Sequence, residues 1–383
     1  MNKSDIRAGK AARSGTGPRT LIIHIGDHKT GSTTIQHALA LGHIRIDGAS
    51  PFYGVPLDHN HFPALGRAIL DGSERAGAGH QVFAALAEAM ARNMTQSGNR
   101  ICMISAEEFE GFGPRNLHRL IDIYFADLFD RIRVVAYVRP HLQRIVSQHA
   151  ERTKIGVFNG DLEAFFDFCV ERKLLFYTPR FTSWHKVFGE AFILRPSVRS
   201  ALRGGSLLED FFTSALGDVQ IATKDPGNQN ESLSLEDLLR VKFLHAQLEG
   251  HSRQFHGSYG WALTRLIQEL PGDRTSTRIR MHRSLAERVR DRYQDDAQKL
   301  DKAFFGATPY MQEALDEGVE SACNQPQPSS AEAIFPPSEL RSLKLTARLI
   351  EELLENNAKP WPEHFRKRRL EALHGGAIPN LPG

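Results

Sequence analysis

The sequence predicts an α/β fold with three layers, α/β/α, in which helices cover both faces of a central parallel sheet. Three observations support this prediction. Short apolar runs rich in β-branched residues are each followed by a segment with helical periodicity, an alternation typical of parallel sheets. From about residue 233 the pattern becomes mainly helical, which predicts a helical C-terminal portion. The 383 residues are 41% hydrophobic and 24% charged, which suits a protein with a large buried core.

The predicted sheet begins with a strand, a loop and a helix. The first strand ends at Gly26 and passes through a short polar loop into a helix that starts near Gly31 and stops at Gly42. Four strands are predicted in all, at residues 20–25, 100–105, 132–138 and 191–194.

The helical C-terminal portion is predicted to contain helices at residues 233–248, 261–270 and 282–305. Asn230 and Ser232 are candidate caps for the first of these helices. Residues 323–337 are rich in Pro, Ser and Gln, which predicts a linker.

Beyond the linker, apolar residues recur at spacings of three and four. This spacing predicts one amphipathic helix that either packs back onto the domain or contacts a second subunit in a homo-oligomer. The residues are Leu340, Leu343, Ala347, Ile350 and Leu354.

Charge and cysteine usage exclude several classes of protein. Lys and Arg number 48 against 45 Asp and Glu, so a net charge of +3 does not favour a nucleic-acid partner. The three cysteines are far apart and have no ligand spacing, so we expect no zinc site and no disulfide framework. No apolar run has the length of a membrane span, and the basic leader lacks the apolar core of a secretory signal. We therefore expect a cytoplasmic protein.

The loop at residues 26–34 has the sequence GDHKTGSTT, and it is the most informative stretch of the chain. Backbone N–H groups at the start of a helix converge on anions. Gly26 and Gly31 are spaced like the glycines of a Walker A loop, but Ser32 occupies the position where that motif requires Lys. The lysine, Lys29, lies inside the loop instead. This displacement argues against an ordinary ATPase or kinase and favours a related cradle for a phosphosulfate.

A second motif follows the third predicted strand. That strand ends in Arg139-Pro140, and Ser147 lies eight residues beyond Arg139 on the predicted helix. The planar guanidinium of arginine makes two bonds to one phosphate. In a nucleoside triphosphatase this strand end is a place for a Walker B Asp, whereas this chain has Arg139. No metal is required.

The His-Lys-Thr-Gly-Ser-Thr loop after the first strand resembles that of bacterial members of the sulfotransferase family, which have a P-loop NTPase-like fold. The resemblance implies 3′-phosphoadenosine 5′-phosphosulfate as the donor and no metal. It implies that Lys29 contacts the phosphosulfate and that Arg139 and Ser147 bind the 3′-phosphate. It also implies that neighbouring residues supply backbone or hydroxyl donors, namely Thr30, Gly31, Ser32, Thr33 and Thr34.

A general base is expected after the second predicted strand, because an acceptor loses its proton as it attacks. The segment Ser105–Phe109 is similar to a Ser-Ser-Glu-x-Phe segment of this family, in which the glutamate acts as the base. Glu107 is the matching residue, and Glu108 and His28 are the alternatives. We expect His59 and His61, in the long connection after the first helix, to be surface residues without a role.

The resemblance extends over residues 20–305, which we expect to be a sulfotransferase catalytic domain between a flexible basic leader (1–19) and a linker, amphipathic helix and basic tail (306–383). It implies transfer of a sulfuryl group to a hydroxyl or amine, on a small molecule or, by analogy with the relatives, on a glycan or glycolipid. One alternative is a small-molecule or carbohydrate kinase. The other is a non-catalytic nucleotide- or glycan-binding module that uses the basic segment 366–369.

Overall fold

The computed structural model describes residues 17–224, 233–270, 277–357 and 361–373. Its central sheet has four strands in the order β3-β1-β4-β5, and all neighbouring strands are parallel. A separate antiparallel pair is formed by β2 and β6. The strands are β1 (Thr20–His24), β2 (Ile44–Ile46), β3 (Ile101–Ser105), β4 (Arg131–Val138), β5 (Phe192–Pro196) and β6 (Ile221–Thr223). The four strands predicted from the sequence are therefore confirmed as the central sheet.

Fourteen α-helices lie within the described residues. Those of the first two thirds are α1 (Ser32–Ala40), α2 (Phe62–Asp71), α3 (Ala76–Ser97), α4 (Pro114–Tyr124), α5 (His141–Lys154), α6 (Leu162–Glu171), α7 (Tyr177–Phe188) and α8 (Leu207–Leu216). The remainder are α9 (Leu235–Gln247), α10 (Arg253–Glu269), α11 (Arg283–Phe304), α12 (Tyr310–Glu320), α13 (Pro337–Asn357) and α14 (Trp361–Leu373). Short 3-10 helices lie at Glu107–Gly111, Gly189–Ala191, Arg199–Ala201, Arg203–Gly205 and Ala331–Ala333.

Both faces of the sheet are covered, because successive side chains of a strand point to opposite faces. On one face, Ile22 and Met103 pack with apolar residues of α1 and α8. On the other, Leu21, Ile23 and Cys102 pack in a larger cluster with α4, α5, α7, α11 and α12. The result is a three-layer α/β/α arrangement, as the alternation of strands and helices predicts.

The helical C-terminal portion begins at α9, whose N-cap is Ser234. The candidate caps Asn230 and Ser232 lie outside the described residues. The predicted helix at 261–270 is longer than expected, because Ser252 caps it and accepts a hydrogen bond from the backbone N–H of Phe255. Helix α13 packs on α9 and α10 through the five apolar residues that predicted it, so its packing onto the domain is confirmed.

The position of β1 decides where a ligand would lie. It has β3 on one side and β4 on the other, so the chain leaves β1 and later returns to both of its edges. In open parallel sheets, ligands bind outside the carboxyl ends of the strands at such a point. We call this side of the sheet the carboxyl edge. None of the helices in the described parts of the chain is both long and apolar enough to cross a bilayer.

Candidate functional site

The loop from Ile25 to Gly31, here called the Lys29 loop, connects β1 to α1 at the carboxyl edge. Lys29 and Gly31 both have a left-handed backbone, with φ of 67° and 95°. The positive φ of Gly31 favours glycine, and a Cβ at this position would also displace the side chain of Leu207. Thr30 closes the turn, since its Oγ1 donates to the carbonyl oxygen of Asp27 at 2.6 Å. Gly31 is the N-cap of α1 and has no side chain to cap it, so the helix presents its N-terminal N–H groups here.

One acidic side chain of the loop and three charged side chains that contact it form what we call the buried ion network: Asp27, Glu110, Arg144 and Arg180. Arg180 donates to both carboxylate oxygens of Asp27, at 2.9 and 2.8 Å, and to Glu110 at 2.9 Å. Arg144 donates to both oxygens of Glu110 at 3.1 Å and to the carbonyl oxygen of His28. The network therefore fixes the backbone of the Lys29 loop.

Sequence reasoning missed this network. Asp27 lies inside the quoted motif, Glu110 lies three residues after Glu107, and Arg144 lies between Arg139 and Ser147. Because these charged residues lie in or next to the motifs, their charges were the signal from which the sequence could have predicted an ion network. Arg180 lies in α7, far from any motif, and no local pattern identifies it.

His28 of the loop and Glu107 form a pair, with His28 Nδ1 and Glu107 Oε2 3.2 Å apart. The backbone N–H of Glu107 donates to Asn60 Oδ1 at 2.7 Å, which holds the start of the 3-10 helix after β3. The structure thus brings together two of the three candidate bases. The third, Glu108, is exposed on the next position of the same helix.

Glu107 and His28 shift each other's pKa. Burial would raise the pKa of Glu107, but the hydrogen bond and charge of His28 and the charge of Lys29 outweigh it, so the pKa of Glu107 falls below 4.5. Burial would lower the pKa of His28, but Glu107 and Glu110 raise it above 6.5. Near neutral pH the carboxylate of Glu107 is therefore ionised and able to accept a proton.

Lys29 points from the loop towards α5. Its Nζ donates to Glu151 Oε2 at 3.0 Å, and the same oxygen contacts Lys154 Nζ at 2.7 Å. Burial would raise the pKa of Glu151, but the two lysines lower it. The side chains of Lys29 and Glu151 remain 36% and 21% exposed, so an anion arriving from solvent can reach this lysine.

The two residues of the second motif have different surroundings. The guanidinium of Arg139 donates to the carbonyl oxygen of Lys29 at 2.6 Å, so the end of β4 touches the loop directly. Burial lowers the pKa of Arg139, with the nearby Arg144 acting in the same direction. Ser147 lies two turns into α5, where its Oγ donates to the carbonyl oxygen of Arg144 at 3.2 Å.

The hydroxyl residues at the start of α1 complete the candidate set. Ser32 is buried, and its Oγ makes no hydrogen bond of ordinary geometry within the described part of the chain, although it lies close enough to Glu107 to help lower the pKa of that carboxylate. Thr33 and Thr34 are half-buried, and the backbone N–H of Thr34 already donates to the carbonyl oxygen of Gly31. A buried hydroxyl whose hydrogen bonding is incomplete, next to a helix N-terminus, is a feature that a bound oxyanion would satisfy.

The expectation for His59 is wrong. His59 is fully buried, and its Nδ1 accepts a hydrogen bond from the backbone N–H of Ser105 at 3.3 Å. Burial lowers its pKa to about 3, so the ring is neutral. It packs edge-on against Tyr53 and Phe62, and these aromatic contacts place it in the core behind the site.

Comparisons with models of known protein families and with curated proteins find no match for this chain. Among the residues that the structure describes, no group of three or more His, Cys, Asp or Glu side chains is arranged to hold a metal ion.

Proposed function

We propose that this protein is a sulfotransferase with a P-loop-like sulfotransferase fold. Its reaction moves a sulfuryl group from 3′-phosphoadenosine 5′-phosphosulfate to a hydroxyl or amine of an acceptor, which we place in the glycan or glycolipid class by analogy alone. The observation that carries the proposal is the meeting of Lys29, Arg139 and Glu107 around one loop at the carboxyl edge.

In this proposal the donor occupies the Lys29 loop with its phosphosulfate against the N-terminus of α1. The N–H groups of that first turn and the buried hydroxyl of Ser32 are then the donors that the phosphosulfate oxygens accept from. Lys29 exchanges Glu151 for the donor, since that ion pair is partly exposed and holds the lysine by one bond. Arg139 and Ser147 bind the 3′-phosphate.

The transfer is a displacement at sulfur. A lone pair of the acceptor oxygen forms the new O–S bond while the bond from sulfur to the bridging oxygen breaks. The electron pair of that broken bond stays on the phosphate of adenosine 3′,5′-bisphosphate, where the ammonium of Lys29 stabilises the developing charge. The acceptor proton passes to the carboxylate of Glu107, which His28 orients through the contact at 3.2 Å.

Calorimetric titration with adenosine 3′,5′-bisphosphate, run beside ATP with magnesium, tests this proposal. We expect the bisphosphate to bind and Arg139→Ala to weaken that binding by about 10- to 100-fold, the value of one charge-assisted phosphate contact. Arg115→Ala removes an exposed arginine of α4 and is the matched control, with unchanged affinity expected. A preference for magnesium-ATP, or no binding of the bisphosphate, would contradict the proposal and favour a kinase or a non-catalytic module.

A further inference from the structure

Two cations from distant parts of the chain contact one indole ring beside the site. The Nζ of Lys154, at the end of α5, lies 3.3 Å from the ring centroid of Trp261 in α10. The guanidinium carbon of Arg369, in α14, lies 4.4 Å from the same centroid. We call Lys154, Trp261 and Arg369 the indole cluster. An ammonium and a guanidinium over an aromatic face are each attracted by its quadrupole, so the ring holds both cations in place.

The indole cluster is joined to the Lys29 loop by direct contacts. Lys154 Nζ lies 2.7 Å from Glu151 Oε2, and that oxygen accepts from Lys29 Nζ at 3.0 Å. Lys29 and Lys154 thus share one carboxylate oxygen, and Arg369 joins them through the ring of Trp261.

Two further contacts position Lys154 and Trp261. The carbonyl oxygen of Lys154 contacts His245 Nε2 at 2.8 Å, and a Cβ on Gly260 would collide with that same carbonyl oxygen. The absence of a Cβ on Gly260 therefore allows α10 to approach the end of α5, which places Trp261 over Lys154. The ring itself is still 38% exposed.

The two cations are partly withdrawn from water, and although Lys154 pairs with Glu151, Arg369 forms no hydrogen bond or ion pair with a carboxylate within the described residues. Lys154 is 7% exposed, and burial lowers its pKa to about 8 although Glu151 acts in the opposite direction. Burial also lowers the pKa of Arg369, against the opposing charges of Asp58, Glu151 and Glu107. A buried cation short of counter-charge is unfavourable unless an anion joins it.

We infer that the indole cluster binds an oxyanion beside the Lys29 loop, and that α14 completes the site by supplying Arg369. The anion is either the sulfuryl group of the donor or an acidic group that the acceptor carries next to its nucleophile. Both present the same chemistry, an oxygen-rich anion that a guanidinium and an ammonium recognise. This inference rests on the proposed function for the identity of the ligand, but not for the existence of the anion site.

Binding measurements on the full chain with three probes test the inference. The probes are 3′-phosphoadenosine 5′-phosphosulfate, adenosine 3′,5′-bisphosphate and inorganic sulfate. The test variant is Arg369→Ala, and Arg369→Lys keeps the charge while losing the planar fork. The matched control is Lys367→Ala, which removes one positive charge from the same helix at a residue whose side chain is 65% exposed. Melting temperatures establish that each variant is folded.

The results distinguish the two sources of the anion. If the sulfuryl group is the ligand, Arg369→Ala weakens binding of the phosphosulfate by roughly 10-fold or more and leaves the bisphosphate unchanged. If an acidic acceptor is the ligand, the affinities for both nucleotides are unchanged, and Arg369→Ala abolishes a sulfate-dependent change in tryptophan fluorescence that Trp261→Phe also removes. Arg369→Lys should recover part of the lost binding in either case.

Two results would overturn the inference. One is unchanged binding of all three probes in Arg369→Ala. The other is an equal loss in Lys367→Ala, because that would show a general effect of charge rather than a site. Failure of the wild-type chain to bind either nucleotide would instead contradict the proposed sulfotransferase function, while the sulfate measurement would still test the anion site.

Discussion

Two groups of charged residues contact the same loop, and they are built differently. In the buried ion network, the side chains of Arg144 and Asp27 are 1% and 2% exposed and those of Arg180 and Glu110 are 25% and 23% exposed, and each arginine makes several bonds to carboxylates. In the group of Lys29, Glu151 and Lys154, the Lys29 side chain is 36% exposed and makes one bond to its partner.

The difference in exposure assigns a different role to each group: the buried ion network supports the loop backbone, and Lys29 can change its partner. Breaking a buried pair leaves an uncompensated charge, which is strongly unfavourable, so the buried ion network holds the loop backbone in one conformation. A partly exposed pair costs little to open, so Lys29 can leave Glu151 for a ligand. One loop thus combines a fixed backbone with a lysine that is free to exchange its partner.

The largest effect is expected from Arg144→Met, which should lower the free energy of unfolding by about 3–5 kcal/mol. The variant leaves Asp27 and Glu110 buried with one guanidinium fewer and removes the bond to the carbonyl oxygen of His28. Urea unfolding followed by circular dichroism measures the loss, and Arg115→Met in α4 is the exposed control. A loss below about 1 kcal/mol would mean that the buried ion network does not stabilise the fold.

Lys29→Ala should show the opposite pattern. Removal of a partly exposed pair should change the free energy of unfolding by less than about 1 kcal/mol. The rate constant kcat of sulfuryl transfer should fall by about 10²–10³, as for other single donors to a developing oxyanion, while binding of adenosine 3′,5′-bisphosphate is partly retained. The two measurements together sharpen the comparison. Normal turnover in this variant would mean that Lys29 has no role in sulfuryl transfer.

The smallest effect concerns pH. Because the pKa of Glu107 is lowered below 4.5, its carboxylate form persists at neutral pH, and kcat/KM should be nearly flat between about pH 6 and 8. It should fall only as the pH drops through the lowered pKa of Glu107.

Neutral His28 as the base would give a different profile. Since the pKa of His28 is raised above 6.5, the rate would climb with pH through that raised value and reach a plateau above it. Glu107→Gln provides the control, since it should remove turnover more than nucleotide binding if Glu107 is the base.

Local patterns predicted much of the fold. Each of the four central strands is a continuous apolar run, and such a run can be recognised in the sequence without tertiary information. Helix α13 was predicted by the spacing of its apolar residues, which are those that pack on α9 and α10. The start of α10 was missed, because the signal at Ser252 is a single capping residue.

The site was predicted less completely, because its support comes from residues far apart in the chain. Arg180 binds Asp27 across a separation of 153 residues, and nothing near Arg180 indicates that partner. Arg369 was recognised only as part of a basic segment, since its neighbour Trp261 belongs to another helix. His59 packs on Tyr53 and Phe62, which are close to it in the sequence, but His59 and Tyr53 lie outside any helix or strand, where no periodicity predicts burial.

The central position of β1 has a consequence for folding kinetics. Thr20 pairs with Ile101 on one side and Arg131 on the other, so both edges of β1 pair with strands that come much later in the chain. Contacts of such long sequence separation slow folding, because loop closure must precede them. During synthesis the apolar β1 leaves the ribosome before β3 and β4, and it stays unpaired until residues 101–138 have followed. We therefore expect slow refolding of the isolated protein and a benefit from chaperones that cover this strand.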